Sequence, residues 1–88
     1  MAGHSKKPEM SEVEFGYRTT MAFNQLGVRA QNALLVLFSW KLPSKPIIKE
    51  HFIDQDFDPK KLRNVGKKTA SEILDFTEKT IALYHQTA

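Results

Sequence analysis

Leu62-Arg63-Asn64-Val65-Gly66-Lys67-Lys68-Thr69-Ala70-Ser71-Glu72 is the stretch whose reading decides the fold. It has the form of a helix-hairpin-helix. A short basic helix ends near Arg63, and Asn64 and Gly66 make a tight turn that asks for residues tolerant of positive φ. A long helix then opens at Lys67 or Lys68. Leu62, Val65, Ala70 and Ile73 supply inward anchors while the cationic and small residues face out. The turn's amides, the positive end of the second helix's dipole, the ammonium groups of Lys67 and Lys68 and the Thr69 hydroxyl then converge where a phosphate can sit. A plain αα-turn with a solvated basic rim would use the same lysines beside a glycine. The alternation of anchor and cation favours the phosphate reading.

The chain has 88 residues, 41% of them hydrophobic, which suffices for one modest core and not for two. It has no cysteine, so neither a disulfide framework nor a thiolate zinc site contributes, and a reducing, cytoplasmic setting is expected. No apolar run approaches membrane-spanning length, and Met1 to Met10 is polar, so neither secretion nor a membrane partner is expected. The net charge is only +3, yet Lys60, Lys61, Arg63, Lys67 and Lys68 put five cations into nine residues.

Residues 1–12 read as a disordered polar tail, and residues 13–26 as an arm packed on the domain formed by 27–88. The arm is ambiguous: Val13, Phe15 and Tyr17 alternate as a strand would, whereas Thr19 to Gln25 fits a short helix. Val28 to Trp40 reads as a helix with Gly27 as its N-cap and Pro43 beyond its end. Its second half is apolar nearly all round and so is expected to be buried on most sides, with Trp40 packed in the core on the stripe of Ala33 and Leu37. Arg29 and Asn32, one turn apart at the start of the helix, can reach out together. The plainer alternative has Arg29 lying along the surface and Asn32 capping a loop.

Ser44 is expected to cap a short helix with Pro46 in its first turn and Ile47, Ile48 and Phe52 facing inward; Asp58 and Pro59 are expected to open another. Asp54, Asp56 and Asp58 lack the glycine and the late glutamate of a calcium loop, and His51 and His85 read as ordinary surface residues. The last helix, from about Lys68 to near Gln86, presents Ala70, Ile73, Leu74, Thr77, Ile81 and Tyr84 as its core face. Phe76 and Leu83 form a second line that receives the arm or serves as a dimer seam.

Val28-Arg29-Ala30-Gln31-Asn32-Ala33-Leu34, followed some thirty residues later by Leu62 to Ile73, resembles the C-terminal domain of the bacterial RNA polymerase alpha subunit over roughly Gln25 to Ile81. The pairing of a VR-x-x-N helix with an RN-hydrophobic-GKK-[S/T]-x-x-E-I hairpin carries the resemblance. It implies a compact helical unit that binds the minor groove of A·T-rich DNA and meets transcription regulators and polymerase. By position, Arg29 would enter the minor groove with Asn32 beside it, and Ala33 would stand where the family often has cysteine. Gly66 would bring backbone to a phosphate held by Lys68 and Thr69, Asn64 would match the turn, and Glu72 would orient neighbouring groups. Physical chemistry is consistent with this: a narrow A·T-rich groove concentrates negative potential that attracts an inserted arginine, while backbone contacts set register. Phe23, Asn24 and Gln25 replace the acidic residues that face the sigma factor in the family, so that contact is not expected. Taken as a complete protein, the chain would also lack the domain that assembles the subunit into polymerase.

The expectation is therefore an all-α bundle of four to five short helices ending in a helix-hairpin-helix and a long C-terminal helix. It is a non-enzymatic binder of double-stranded DNA, needs no cofactor or metal, and is a monomer or weak homodimer. The candidate contacts are Arg29, Asn32, Ala33, Asn64, Gly66, Lys67, Lys68, Thr69 and Glu72. The competing expectation is a module that docks on transcription proteins without binding DNA.

Overall fold

The structure, a computed structural model, describes residues 10–55, 57–59, 62 and 65–87. Among these it contains four α-helices, α1 (Glu12–Asn24), α2 (Val28–Leu37), α3 (Lys45–Ile48) and α4 (Lys67–Tyr84), with a π-helical turn, Lys49–Ile53, continuing α3. The fold is all-α; the one β-type contact among the described residues is an isolated bridge between Met10 and Thr87.

The arm resolves into a helix. Ser11 takes extended backbone angles and its side chain accepts from the Glu14 amide at 3.1 Å, while Glu12 and Glu14 complement the positive helix end. Phe15, Thr19 and Phe23, spaced four apart, form the buried stripe. Phe15 meets the Tyr84 ring edge-on at 6.2 Å, and Phe23 meets Phe76 at 6.2 Å, so α1 covers one flank of α4. Val13, Tyr17 and Met21 fall on the outer side. Of the tail expected over 1–12, residues 1–9 lie outside the described residues and the rest is ordered. Met10 is buried and its amide donates to the Gln86 carbonyl at 3.1 Å, so Met10 to Glu12 belong to the folded unit.

The core stripe of α2 is Ala30, Leu34 and Phe38, not Ala33 and Leu37. The helix also stops three residues before Trp40. Ser39 donates to the Val36 carbonyl at 3.2 Å and Trp40 to the Leu35 carbonyl at 2.6 Å, the paired bonds of a Schellman cap. Ser39 and Trp40 both take positive φ, 58° and 65°. This turn carries Trp40 off the core stripe and leaves it 69% exposed, against the expectation of core packing; Val36 is also exposed, so the second half of α2 is not covered all round.

Ser44 caps α3 by backbone geometry alone, with Pro46 in the permissive first turn. Ile48 and Phe52 are buried, and Phe52 is the aromatic hub, 5.0 Å from Phe57, 5.6 Å from Phe38 and 6.2 Å from Phe76. His51 is half-buried beside Phe38, at 5.5 Å, rather than on the surface. On α4 the buried face is Ile73, Phe76, Thr77 and Thr80, whereas Leu74, expected inside, is 44% exposed. The buried threonines cost little. Thr77 donates to the Ile73 carbonyl at 2.7 Å, Thr80 to that of Phe76 at 2.9 Å, and Thr19 to that of Gly16 at 3.1 Å.

Leu62 and Val65 pack against the core as inward anchors, and the Leu62 amide donates to the Pro59 carbonyl at 3.1 Å. Lys60, Lys61, Arg63 and Asn64, and with them most of the first arm of the expected hairpin, lie outside the described residues. Gly66 corrects one expectation. Its φ is −76° and ψ 174°, so it serves as the N-cap of α4 in an extended conformation open to any residue, not as a left-handed turn glycine.

Candidate functional site

The site begins where two helices start side by side. α2 opens after Gly27 and α4 after Gly66, and neither N-cap glycine has a side chain to fold back onto its own first turn. The bare helix starts therefore present amides and the positive ends of two dipoles. In α2 part of this is answered from a distance: the Gly27 amide donates to Glu72 Oε1 at 2.9 Å. Glu72 projects from the second turn of α4, so this single charge-assisted bond joins the two helix starts across 45 residues of chain.

A second brace fixes the corner before α2. The side-chain amide of Gln31 donates to the Leu26 carbonyl at 3.0 Å and the Asn24 carbonyl at 3.2 Å, tying the end of α1 to the first turns of α2. Nothing in the sequence marked Gln31 for this task except its position just inside a helix start, where a side-chain amide can reach back to carbonyls left free by the preceding helix.

The helix starts enclose an open groove of about 430 Å³. Gly27, Val28, Arg29 and Ala30 line it from α2, and Gly66, Lys67, Lys68, Thr69 and Glu72 from α4. Arg29, Lys67 and Lys68 are exposed; Thr69 and Glu72 are half-buried. Three cations thus face one carboxylate, and that carboxylate is engaged by the Gly27 amide. An anion entering here meets guanidinium, ammonium, hydroxyl and amide donors together.

Of the residues singled out from sequence, Arg29, Gly66, Lys67, Lys68, Thr69 and Glu72 come together in this groove. Asn32 is exposed one turn further along α2 and is not part of the lining, and Ala33 is half-buried against the core. Asn64 lies outside the described residues. Sequence reading had placed Gly27 only as a cap; here its amide completes the link to Glu72.

Comparison of the chain with family models, with curated proteins and with solved structures gave no match. The likeness to the polymerase domain rests on its two sequence motifs. Among the described residues, no helix is long and apolar enough to cross a membrane.

Proposed function

We propose that the chain binds double-stranded DNA through the groove between the starts of α2 and α4, without catalysing a reaction. In this reading it is a relative of the polymerase alpha C-terminal domain that acts in transcription. Arg29 enters the minor groove of A·T-rich duplex. The first turn of α4 grips an adjacent phosphate through its free backbone amides, Lys68 and Thr69. Glu72 makes no contact with DNA in this scheme; it holds the two grips at a fixed separation.

One observation supports this reading above all: Arg29 and Lys68, distant in sequence, line the same open groove. Backbone contacts of this kind position the protein, and the arginine reads groove width, so shape is recognised more than sequence. Gly66 suits the phosphate role for a steric reason. A Cβ there would point into open space, so its absence is not demanded by the fold and leaves the backbone accessible to a ligand.

The test is a titration of the protein with an A·T-rich and a G·C-rich duplex over a range of salt. The A·T-rich duplex should bind more tightly, and log affinity should fall with log salt by about 0.9 for each phosphate neutralised. Lys68→Ala should weaken both duplexes alike and flatten that slope by roughly one unit. Equal affinity for the two duplexes would remove the minor-groove assignment. A flat salt response would leave the alternative, a module that docks on transcription proteins alone.

A further inference from the structure

Val13, Tyr17 and Met21 recur every fourth residue along α1 and are 84%, 65% and 45% exposed. That spacing keeps all three on one side of the helix, while Phe15, Thr19 and Phe23, displaced by two, turn to the opposite side and into the core. The row is one continuous apolar face. The line of Phe76 on α4, which the sequence left open to the arm or to a second copy, is taken by this helix: Phe76 is 2% exposed and meets Phe23. The face left open is the outside of α1.

Two charges run along one edge of the row. Glu14 and Arg18 follow Val13 and Tyr17 by one residue, pair at 2.7 Å and keep 45% and 53% of their side-chain surface exposed.

The arrangement is complementary to itself. Val13 and Met21 stand four residues to either side of Tyr17, so a second α1 laid antiparallel, with a two-fold axis at Tyr17, sets Tyr17 on its counterpart and each Val13 on a Met21. Such a two-fold also brings like edges together. Glu14, three residues before the axis, then faces Arg18 of the other copy with about 3 Å between them along the helix. Each guanidinium thus meets the carboxylate of its own helix and that of its neighbour, and tyrosine is a side chain favoured at the centre of interfaces. A lipid surface fits less well. Helices that lie on membranes carry lysine and arginine along the polar face, whereas α1 has two glutamates and one arginine.

We propose that the outer face of α1 is a homodimer seam, in which two copies pair antiparallel about Tyr17 and exchange ion pairs between Glu14 and Arg18. A single helix face about 20 Å long is smaller than a standard interface, so the dimer is weak, with a dissociation constant on the order of 100 μM. The inference does not rest on DNA binding, because none of these residues lines the groove between α2 and α4.

Sedimentation equilibrium of the full chain over a range of concentrations tests it. The mass should rise toward twice that of the monomer, and Tyr17→Glu should weaken association by more than about tenfold, since it buries a charge at the axis. Glu14→Arg and Arg18→Glu, each alone, set four like charges along the seam and should weaken it by about tenfold. Mixed in equal amounts the two variants should associate at least as tightly as the parent, because cations of one chain then alternate with carboxylates of the other, a recovery that misfolding cannot produce. The proposal is overturned by a monomer mass at every concentration up to about 1 mM, the weak end of specific binding. It is also overturned if Tyr17→Glu associates as the parent does, or if the mixture associates no more tightly than either charge variant alone.

Discussion

At its N-terminus α2 is held by a residue 45 positions away, the Gly27 amide donating to Glu72; at its C-terminus it is held by its own last carbonyls, through Ser39 and Trp40. The first end has relaxed backbone and depends on tertiary packing for its shape. The second is built locally and carries two positive φ angles. Their surfaces differ accordingly: the groove gathers Arg29, Lys67 and Lys68 with Glu72, whereas at the other end Val36, Trp40 and Leu42 are each exposed. A groove assembled from two helices should be sensitive to whatever shifts α4. A turn closed on itself should keep its form as long as α2 survives.

The sharpest way to break this contrast is to attack the core that both ends share. Phe38 is 1% exposed and packs within 5.6 Å of Phe52. Phe38→Ala should lower unfolding free energy by about 3–5 kcal/mol in urea denaturation, the usual cost of deleting a buried aromatic. In the fraction still folded, Trp40 emission should stay that of an exposed indole; a shift before the unfolding transition would show that the turn is not locally determined.

Arg29→Ala probes the other end alone. Duplex affinity should drop by about 1–3 kcal/mol, mostly on A·T-rich sequence, while the unfolding free energy changes by no more than about 0.5 kcal/mol because the side chain is exposed. A comparable loss on G·C-rich duplex would make Arg29 a phosphate contact. Glu72 separates assembly from binding. Glu72→Ala leaves the Gly27 amide to solvent and should cost about 1 kcal/mol of stability; Glu72→Gln keeps an acceptor and should cost less. If alanine and glutamine melt together at the wild-type temperature, the link across the groove contributes nothing to holding it.

What was legible in the sequence follows the same division. The all-α class, the start of α2 at Val28 and the long α4 were readable because helical periodicity and the Gly27 cap are signals carried by residue type. The companionship of Arg29 with Lys67 and Lys68 was an implication of the resemblance to the polymerase domain, and all three line one groove. Other features had no letter to announce them. The buried stripe of α1 passes through Thr19, whose hydroxyl is satisfied within its own helix, so a polar residue hid a core position and the strand-like alternation stood out instead. Trp40 looked like core because helical phase was carried through Ser39, where the backbone turns left-handed without a glycine to mark it. Gly66 misled in the opposite sense, since a glycine invites a positive φ that the chain does not use. The bonds from Gln31 and to Glu72 depend on how α1, α2 and α4 are arranged, which no local pattern encodes.

The smallest expected effect tests whether the turn at Trp40 is strained at all. Ser39 sits at φ 58°, a conformation that costs a non-glycine residue roughly 1–2 kcal/mol, and its side chain is exposed. Ser39→Gly removes that cost but gives the unfolded chain more freedom, so the net gain in unfolding free energy should be about 0.5–1 kcal/mol. Duplex affinity should not change, because the groove lies at the other end of α2. A variant less stable than the parent would show that serine is favoured at this turn for a reason other than its backbone. The contrast between a relaxed, packing-dependent end and a strained, self-contained one would then fail at the second term.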